Sequence, residues 1–326
     1  MKLPSLQIAR AATGVSRPLS LLHTTGLCLL AGALATACGG GGDSVTTTAT
    51  PALVIEKANM ESVARKANDS FVLFDLAIFA GDYMLWGNDW FTSGKAYRCQ
   101  ADDPNSGSVI FTSSRPGGTF QAGDTLTVQY SNCQQDAQDP ERTTGKLVLK
   151  ILAVSGDPAS EEIGQPWSYQ ANVQYLGLTM QSPDERTVID GEIKVTESSP
   201  GILNEDLDER ITTSFETASI RLTEDADVHE YSQASGTLLS NYTEEDSWTA
   251  TIGTTLASTA LNGKLSFTTQ TQFEGALGNP FPTKGSGRIQ AANQQQINLL
   301  AKPTGVEGTL STPQAAENFF IDWAKY

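Results

Sequence analysis

Trp167-Ser168-Tyr169-Gln170-Ala171-Asn172-Val173-Gln174-Tyr175 alternates apolar and polar side chains without a break over nine residues. A strict period of two is the mark of a half-buried β-strand with one face on a core and one face in water. Leu126, Val128 and Tyr130 repeat it against Thr125, Thr127 and Gln129. Working outward, a short Gly-x-(Leu/Ile) pattern recurs at Gly145, Gly191, Gly236, Gly263, Gly287 and Gly308, and reads as a series of strand starts. Its spacing of 46, 45, 27, 24 and 21 residues is too uneven for a solenoid and fits successive antiparallel hairpins of varying length, with the glycines easing a bulge or a close approach. Pro-containing turn clusters at Asp157, Ser182 and Ser199 fall between them. Phe319 to Trp323 reads as a closing strand.

Upstream of Gly94 the period changes. From Ile55, the residues Met60, Val63, Ala64, Ala67, Phe71 and Phe74 fall on one face of a 3.6-residue repeat, while Glu56, Lys57, Glu61, Arg65 and Lys66 lie mostly off it. From Phe71 to Ala80 the chain is apolar nearly all round, which predicts burial on most sides; Gly81, Gly87 and Asn88 supply stop signals. The expected fold is therefore mainly β. It is a large, curved antiparallel sheet or open barrel of hairpins, with one N-terminal α-helix packed on its apolar face. No long linker interrupts residues 55–326, which read as one domain.

The first 54 residues read differently. Lys2, Arg10 and Arg17 precede an apolar stretch from Leu19 to Leu34 that His23, Thr24 and Thr25 interrupt, and then Leu34-Ala35-Thr36-Ala37-Cys38. A basic start, a short apolar run and small residues at a cleavage point make an export signal over 1–37. The pentad resembles a bacterial lipobox, which implies acylation at Cys38. Several fatty chains there would hold the domain to a membrane, each buried CH₂ contributing about 0.8 kcal/mol. Gly39 to Gly42 and the Thr-rich run to Pro51 complete a tether over 38–54. Gly39 directly after the Cys, where Asp would favour the inner membrane, implies outer-membrane residence.

Composition excludes some partners. The chain carries 37 acidic and 21 basic residues, and three of the basic ones lie in the leader. So acidic a chain is a poor ligand for nucleic acid or for anionic lipid. Of four cysteines, Cys28 leaves with the leader and Cys38 is the lipid site. Cys99 and Cys133 remain as an even pair, expected to form a structural disulfide in an oxidising compartment; neither sits in a CxxC motif.

The helix beginning Ile55, with Asn59, Met60, Val63 and Ala64, is similar to the start of a group of uncharacterised proteobacterial outer-membrane lipoproteins. So is the run Gly118 to Cys133, with Gly123-Asp124 and Asn132-Cys133, followed by Gly145-Lys146-Leu147. Members of that group carry an "aGD…NC" strand and then a Gly-x-Leu strand. Some have an acidic, Gly-rich loop before the last strand, whereas the matching stretch here, Lys302 to Gly308, has only Glu307. The resemblance implies an architecture and no reaction.

Residues that could carry chemistry are few. His229 is the only histidine after the leader, in an acidic stretch where it reads as a solvated loop residue, and there is no GxSxG elbow. Calcium, which needs clustered oxygens, has weak candidates in Asp206, Asp208, Asp225 and Asp227, none in an EF-hand frame. Asp102 and Asp103, before Asn105, are a further candidate, likewise outside that frame. Trp86, Trp90, Trp167 and Trp248 are candidate sugar-stacking rings, though aromatics at such positions more often serve a core. No catalytic residue and no cofactor are expected. These readings favour a non-enzymatic structural or binding lipoprotein of the cell envelope, with an envelope protein, lipid or glycan as partner. A carrier of an apolar or lipid ligand is the alternative, and a carboxylate-dependent glycan-active enzyme the third. A pocket between helix and sheet would mark the carrier, and a Trp-lined cleft with two acids would mark the enzyme.

Overall fold

The computed structural model describes residues 53–325, apart from 86–90, 101, 136–137, 139, 159–162, 205–207, 244–245, 280, 292–294 and 314. The leader, Cys38, the tether up to residue 52, Trp86, Gly87, Asn88, Trp90 and Asp206 thus lie outside the described residues.

Two helices, α1 (Met60–Asn68) and α2 (Val72–Leu85), are joined by a 3-10 turn at Asp69–Phe71 into one helical run. Fourteen strands follow. The first seven are β1 (Ala96–Arg98), β2 (Ser108–Ser113), β3 (Thr125–Cys133), β4 (Arg142–Ser155), β5 (Trp167–Gln181), β6 (Arg186–Ser199) and β7 (Glu209–Glu224). The rest are β8 (Asp227–Tyr242), β9 (Ser247–Ser258), β10 (Gly263–Ala276), β11 (Lys284–Gln290), β12 (Gln296–Lys302), β13 (Gly305–Ser311) and β14 (Ala316–Asp322). Each strand pairs antiparallel with its chain neighbours only, so the sheet is a continuous meander, curved and unclosed.

The expected fold is the one observed. On β5 the side chains of Trp167, Tyr169, Ala171, Val173 and Tyr175 are all buried, while Ser168, Gln170, Asn172 and Gln174 face outward. On α1 the buried residues are Met60, Val63, Ala64 and Ala67, the predicted stripe. In α2 no residue from Val72 to Met84 is fully exposed, because the sheet curls around it.

Three details differ from the sequence reading. The helix starts at Met60 instead of Ile55, because Asn59 holds the lead-in out of helical form. Its Oδ1 accepts from the Glu56 amide at 2.8 Å and its Nδ2 donates to the Val54 carbonyl at 3.0 Å. The folded part already includes Leu53, which is buried. Of the six Gly-x-(Leu/Ile) glycines, only Gly263 begins its strand. The others lie inside strands, where a neighbour comes too close for a side chain or the strand is bulged. Gly191 sits at the bulges of β6 with φ +131°. At Gly236 a Cβ would lie 2.7 Å from both Phe74 and Phe215. The missing side chain of Gly236 is what lets the helix seat against the sheet.

The helix crosses the concave face from one end of the meander to the other. Near its start Lys57 Nζ is 3.2 Å from Glu317 on β14. Further along, the Phe71 ring packs edge-on at 5.4 Å from Phe273 of β10, and Phe74 at 5.0 Å from Phe215 of β7. The Tyr175 hydroxyl donates to the Leu76 carbonyl at 2.7 Å. At the far end Tyr83 meets Phe111 of β2 and shares a hydroxyl contact with Tyr130 of β3. Cys99 and Cys133 are joined as a disulfide, with Cα atoms 5.5 Å apart, tying the chain beyond β1 to the end of β3.

Candidate functional site

Most inward positions are apolar, so the buried polar groups stand out, and two clusters of them lie at opposite ends of the strands. The first joins α1 to β7, β8 and β9. Lys66 Nζ lies 3.2 Å from Asp69 Oδ2 and 3.0 Å from Glu224 Oε2. Glu224 Oε2 is 3.1 Å from His229 Nε2. His229 Nδ1 is 3.0 Å from Ser258 Oγ, which also accepts from the Leu261 amide at 3.3 Å.

Strand register brings these groups together. His229 is directly opposite Ser258 on β9 and Leu222 on β7, and Glu224 lies two residues beyond Leu222 on the same face. His229 is thus no loop residue. It is in phase with Tyr231 on the inner face of β8 and only 1% exposed. The alternation His229–Tyr231 was the sequence signal that pointed inward.

A serine, a histidine and a carboxylate in contact invite comparison with a nucleophilic triad. Here Ser258 is 2% exposed, and its oxygen is already engaged by a turn amide as well as by the imidazole. The set serves as a polar pin between helix and sheet. Burial works to raise the Glu224 carboxyl, but contact with His229 and the Lys66 ammonium outweigh it and hold the group at about 2. Burial likewise works to lower Lys66, and Asp69 and Glu224 overcome it to raise the ammonium above its ordinary range.

The sign of the linkage follows. A carboxyl lowered on folding stabilises fully above its unfolded value of 4.5, and the contribution fades as pH falls toward 2. Its full size is on the order of 3 kcal/mol. A raised lysine stabilises below 10.5 and loses that contribution as pH climbs past its folded value. The stability difference between wild type and Glu224→Gln, read from urea unfolding, should therefore be flat from about pH 4.5 to about pH 10 and shrink toward pH 2. A difference independent of pH across that range would show that the ionised carboxylate is not what holds the pin.

The second cluster lies at the other end of the strands, beneath the loops after β4 and β6. Glu197 Oε1 accepts from the Thr213 hydroxyl at 2.7 Å, and its other oxygen and the Tyr169 hydroxyl both press against Gly81 of α2. Burial first, and then the Glu197 carboxylate, push the Tyr169 phenol well above its ordinary value. Trp167 stacks on Tyr169 at 6.3 Å and donates its indole N–H to Glu209 Oε1 at 3.3 Å. Two acids and an indole, the constellation sought for glycan chemistry, do come together here. All of them are buried beneath the rim, however, and bonded to neighbouring side chains. Trp248 is elsewhere, buried on β9 with its indole N–H on the Asn279 carbonyl at 3.0 Å.

The acidic turns have local tasks. Asp208 closes its loop on Asn204, accepting from Nδ2 at 2.8 Å. Asp225, at φ +51°, forms the β7–β8 turn and accepts from the Arg186 amide at 3.2 Å. Asp227 accepts from the Thr259 hydroxyl at 3.1 Å. Among the described residues no three His, Cys, Asp or Glu side chains are grouped so as to hold a metal ion. Comparison of the chain with protein-family models, with curated proteins and with solved structures finds no match.

Proposed function

We propose that this chain is a lipoprotein of the outer membrane, held through an acylated Cys38, whose folded part has a non-enzymatic structural or binding role in the cell envelope. The observation that carries the reading is where the apolar surface goes. The concave face of the sheet is occupied by the chain's own helix, with Phe74 against Phe215 and the Tyr175 hydroxyl on the Leu76 carbonyl. A carrier would keep that space for its ligand, so these contacts favour the structural reading. The carboxylates of both interior polar clusters are engaged by their own neighbours, and what faces outward is the wet side of the sheet, such as Ser168, Gln170 and Asn172 on β5. That face suits an envelope protein or glycan as partner. No helix among the described residues is long and apolar enough to cross a membrane.

The test is expression of the full chain and of Cys38→Ser in a Gram-negative host fed labelled palmitate. The wild type should take up label and sediment with the outer membrane; the variant should lose the label and become soluble. An unlabelled wild type, or a variant that stays with the membrane, would overturn the anchoring. Turnover of an envelope substrate by the purified chain would overturn the non-enzymatic part.

A further inference from the structure

The two edges of the sheet are built differently. β1 is three residues long, and the Cys99–Cys133 bridge ties the chain just past it to β3. Short strands and covalent ties are ways of blunting an edge. β14 instead runs seven residues, pairs with β13 position for position without a bulge, and ends the sheet order. The two edges do not meet within one molecule. The helical segments of 9, 3 and 14 residues give a contour of about 39 Å at 1.5 Å per residue. That run begins beside β14, where Lys57 meets Glu317, and ends beside β2 and β3, where Tyr83 meets Phe111 and Tyr130. Helix therefore lies between the edges.

The open edge also presents a large apolar side chain. Phe320, on the outer face of β14, is 46% exposed. Exposed large apolar side chains scattered singly mean little, but this one stands on the edge strand itself, where an added strand would cover it.

We propose that β14 pairs with β14 of a second copy of this chain, antiparallel about a two-fold axis, so that two sheets join edge to edge. Side-chain parity restricts the register, since outward residues must face outward residues. Centred on Phe320, the pairing sets that ring opposite the partner's Phe320 and Phe319 opposite the partner's Ile321. Asn318 then falls opposite the partner's Asp322, amide to carboxylate. Aromatic pairs of this kind stabilise a ladder. Centring on Phe319 would leave the outward rings opposite asparagine. A shift by one residue would put Glu317 opposite the partner's Asp322, like charge on like charge, and break parity as well. The strand is thus self-complementary in one register. The excess of acidic over basic residues on each copy opposes association, but exposed charges farther apart than about 8 Å are largely screened at physiological salt.

The experiment places Phe320→Cys in the full chain in membranes, oxidises mildly and resolves the product on a non-reducing gel. Opposed Cα atoms about 4.5–5.5 Å apart lie within disulfide range, so a cross-linked dimer should form. Thr309→Cys, outward on β13 and one strand in from the edge, should give none. In parallel, the wild-type chain in mild detergent should sediment as a dimer, and Phe320→Lys should lower the dimer fraction at least tenfold. Absence of the link at position 320, equal linking at 309, a monomeric wild type, or a dimer indifferent to Phe320→Lys would each overturn the proposal.

Discussion

Phe74→Ala is expected to remove about 3–5 kcal/mol of stability, the cost of truncating a buried aromatic whose site cannot collapse around the gap. Phe74 is 3% exposed, packs edge-on at 5.0 Å from Phe215 and lies over Gly236. None of these neighbours can move in to fill the space. Gly236 has no side chain, Phe215 is fixed on a central strand, and the backbone of α2 is held by the Tyr175 hydroxyl on Leu76. The measurement is urea unfolding followed by far-UV and aromatic signals together. The midpoint should fall in both, because helix and sheet share one core. The control is Val54→Ala, at a position 43% exposed, which should stay within about 0.5 kcal/mol of wild type. A Phe74→Ala midpoint equal to that control would mean that the helix contributes little to holding the sheet in its curved form.

Removal of the Cys99–Cys133 bridge, as the double Ala variant, should cost about 3–4 kcal/mol by the loop-closure argument. The residues are 34 apart in sequence, so the released loop is long enough for the unfolded chain to gain much freedom. The loss should be local in character. The bridge lies where the sheet is thinnest, at the three-residue β1, so amides of β1 and β2 should exchange faster in the variant while those of β5 to β8 keep their protection. Uniform loss of protection across all strands would instead mean that this corner is needed for the whole sheet to stand. Reduction of the wild type should reproduce the effect without any substitution.

Much of the architecture could be read along the chain. The alternation at Trp167–Tyr175 became a buried inner row and a wet outer row, residue for residue, because strand parity is a property of the local backbone. The stripe Met60–Val63–Ala64–Ala67 became the buried face of α1 for the same kind of reason. The cysteine pair could be found by elimination, since only two thiols remain after the leader and the lipid site are set aside.

The polar pin could not be read in that way. Lys66, Glu224, His229 and Ser258 are separated by up to nearly two hundred positions. They meet only because β7, β8 and β9 pair in one register and α1 lies across them. His229 in its acidic stretch resembles a wet loop when only its neighbours in sequence are considered. Its inward phase with Tyr231 was present, but two alternating residues beside a turn carry little signal. The interior glycines do ease bulges and close approaches as expected, but all except Gly263 lie within strands and not at their starts, for a related reason. A glycine that makes room for Phe74, as Gly236 does, looks the same in sequence as one that begins a hairpin.

By itself, then, the sequence determined the class of the elements and their order: one helical run, then strands with one dry face, and a pair of cysteines free to join. Period and composition are local, and hydrophobic burial acts on them directly. Only the tertiary structure decided that the fourteen strands of the described residues form a single unclosed meander, that the helical run crosses it from β14 to β2 and β3, and that the blunt edge is β1 and the bare one β14. Those outcomes depend on register and curvature, which are set by contacts between residues far apart in the chain.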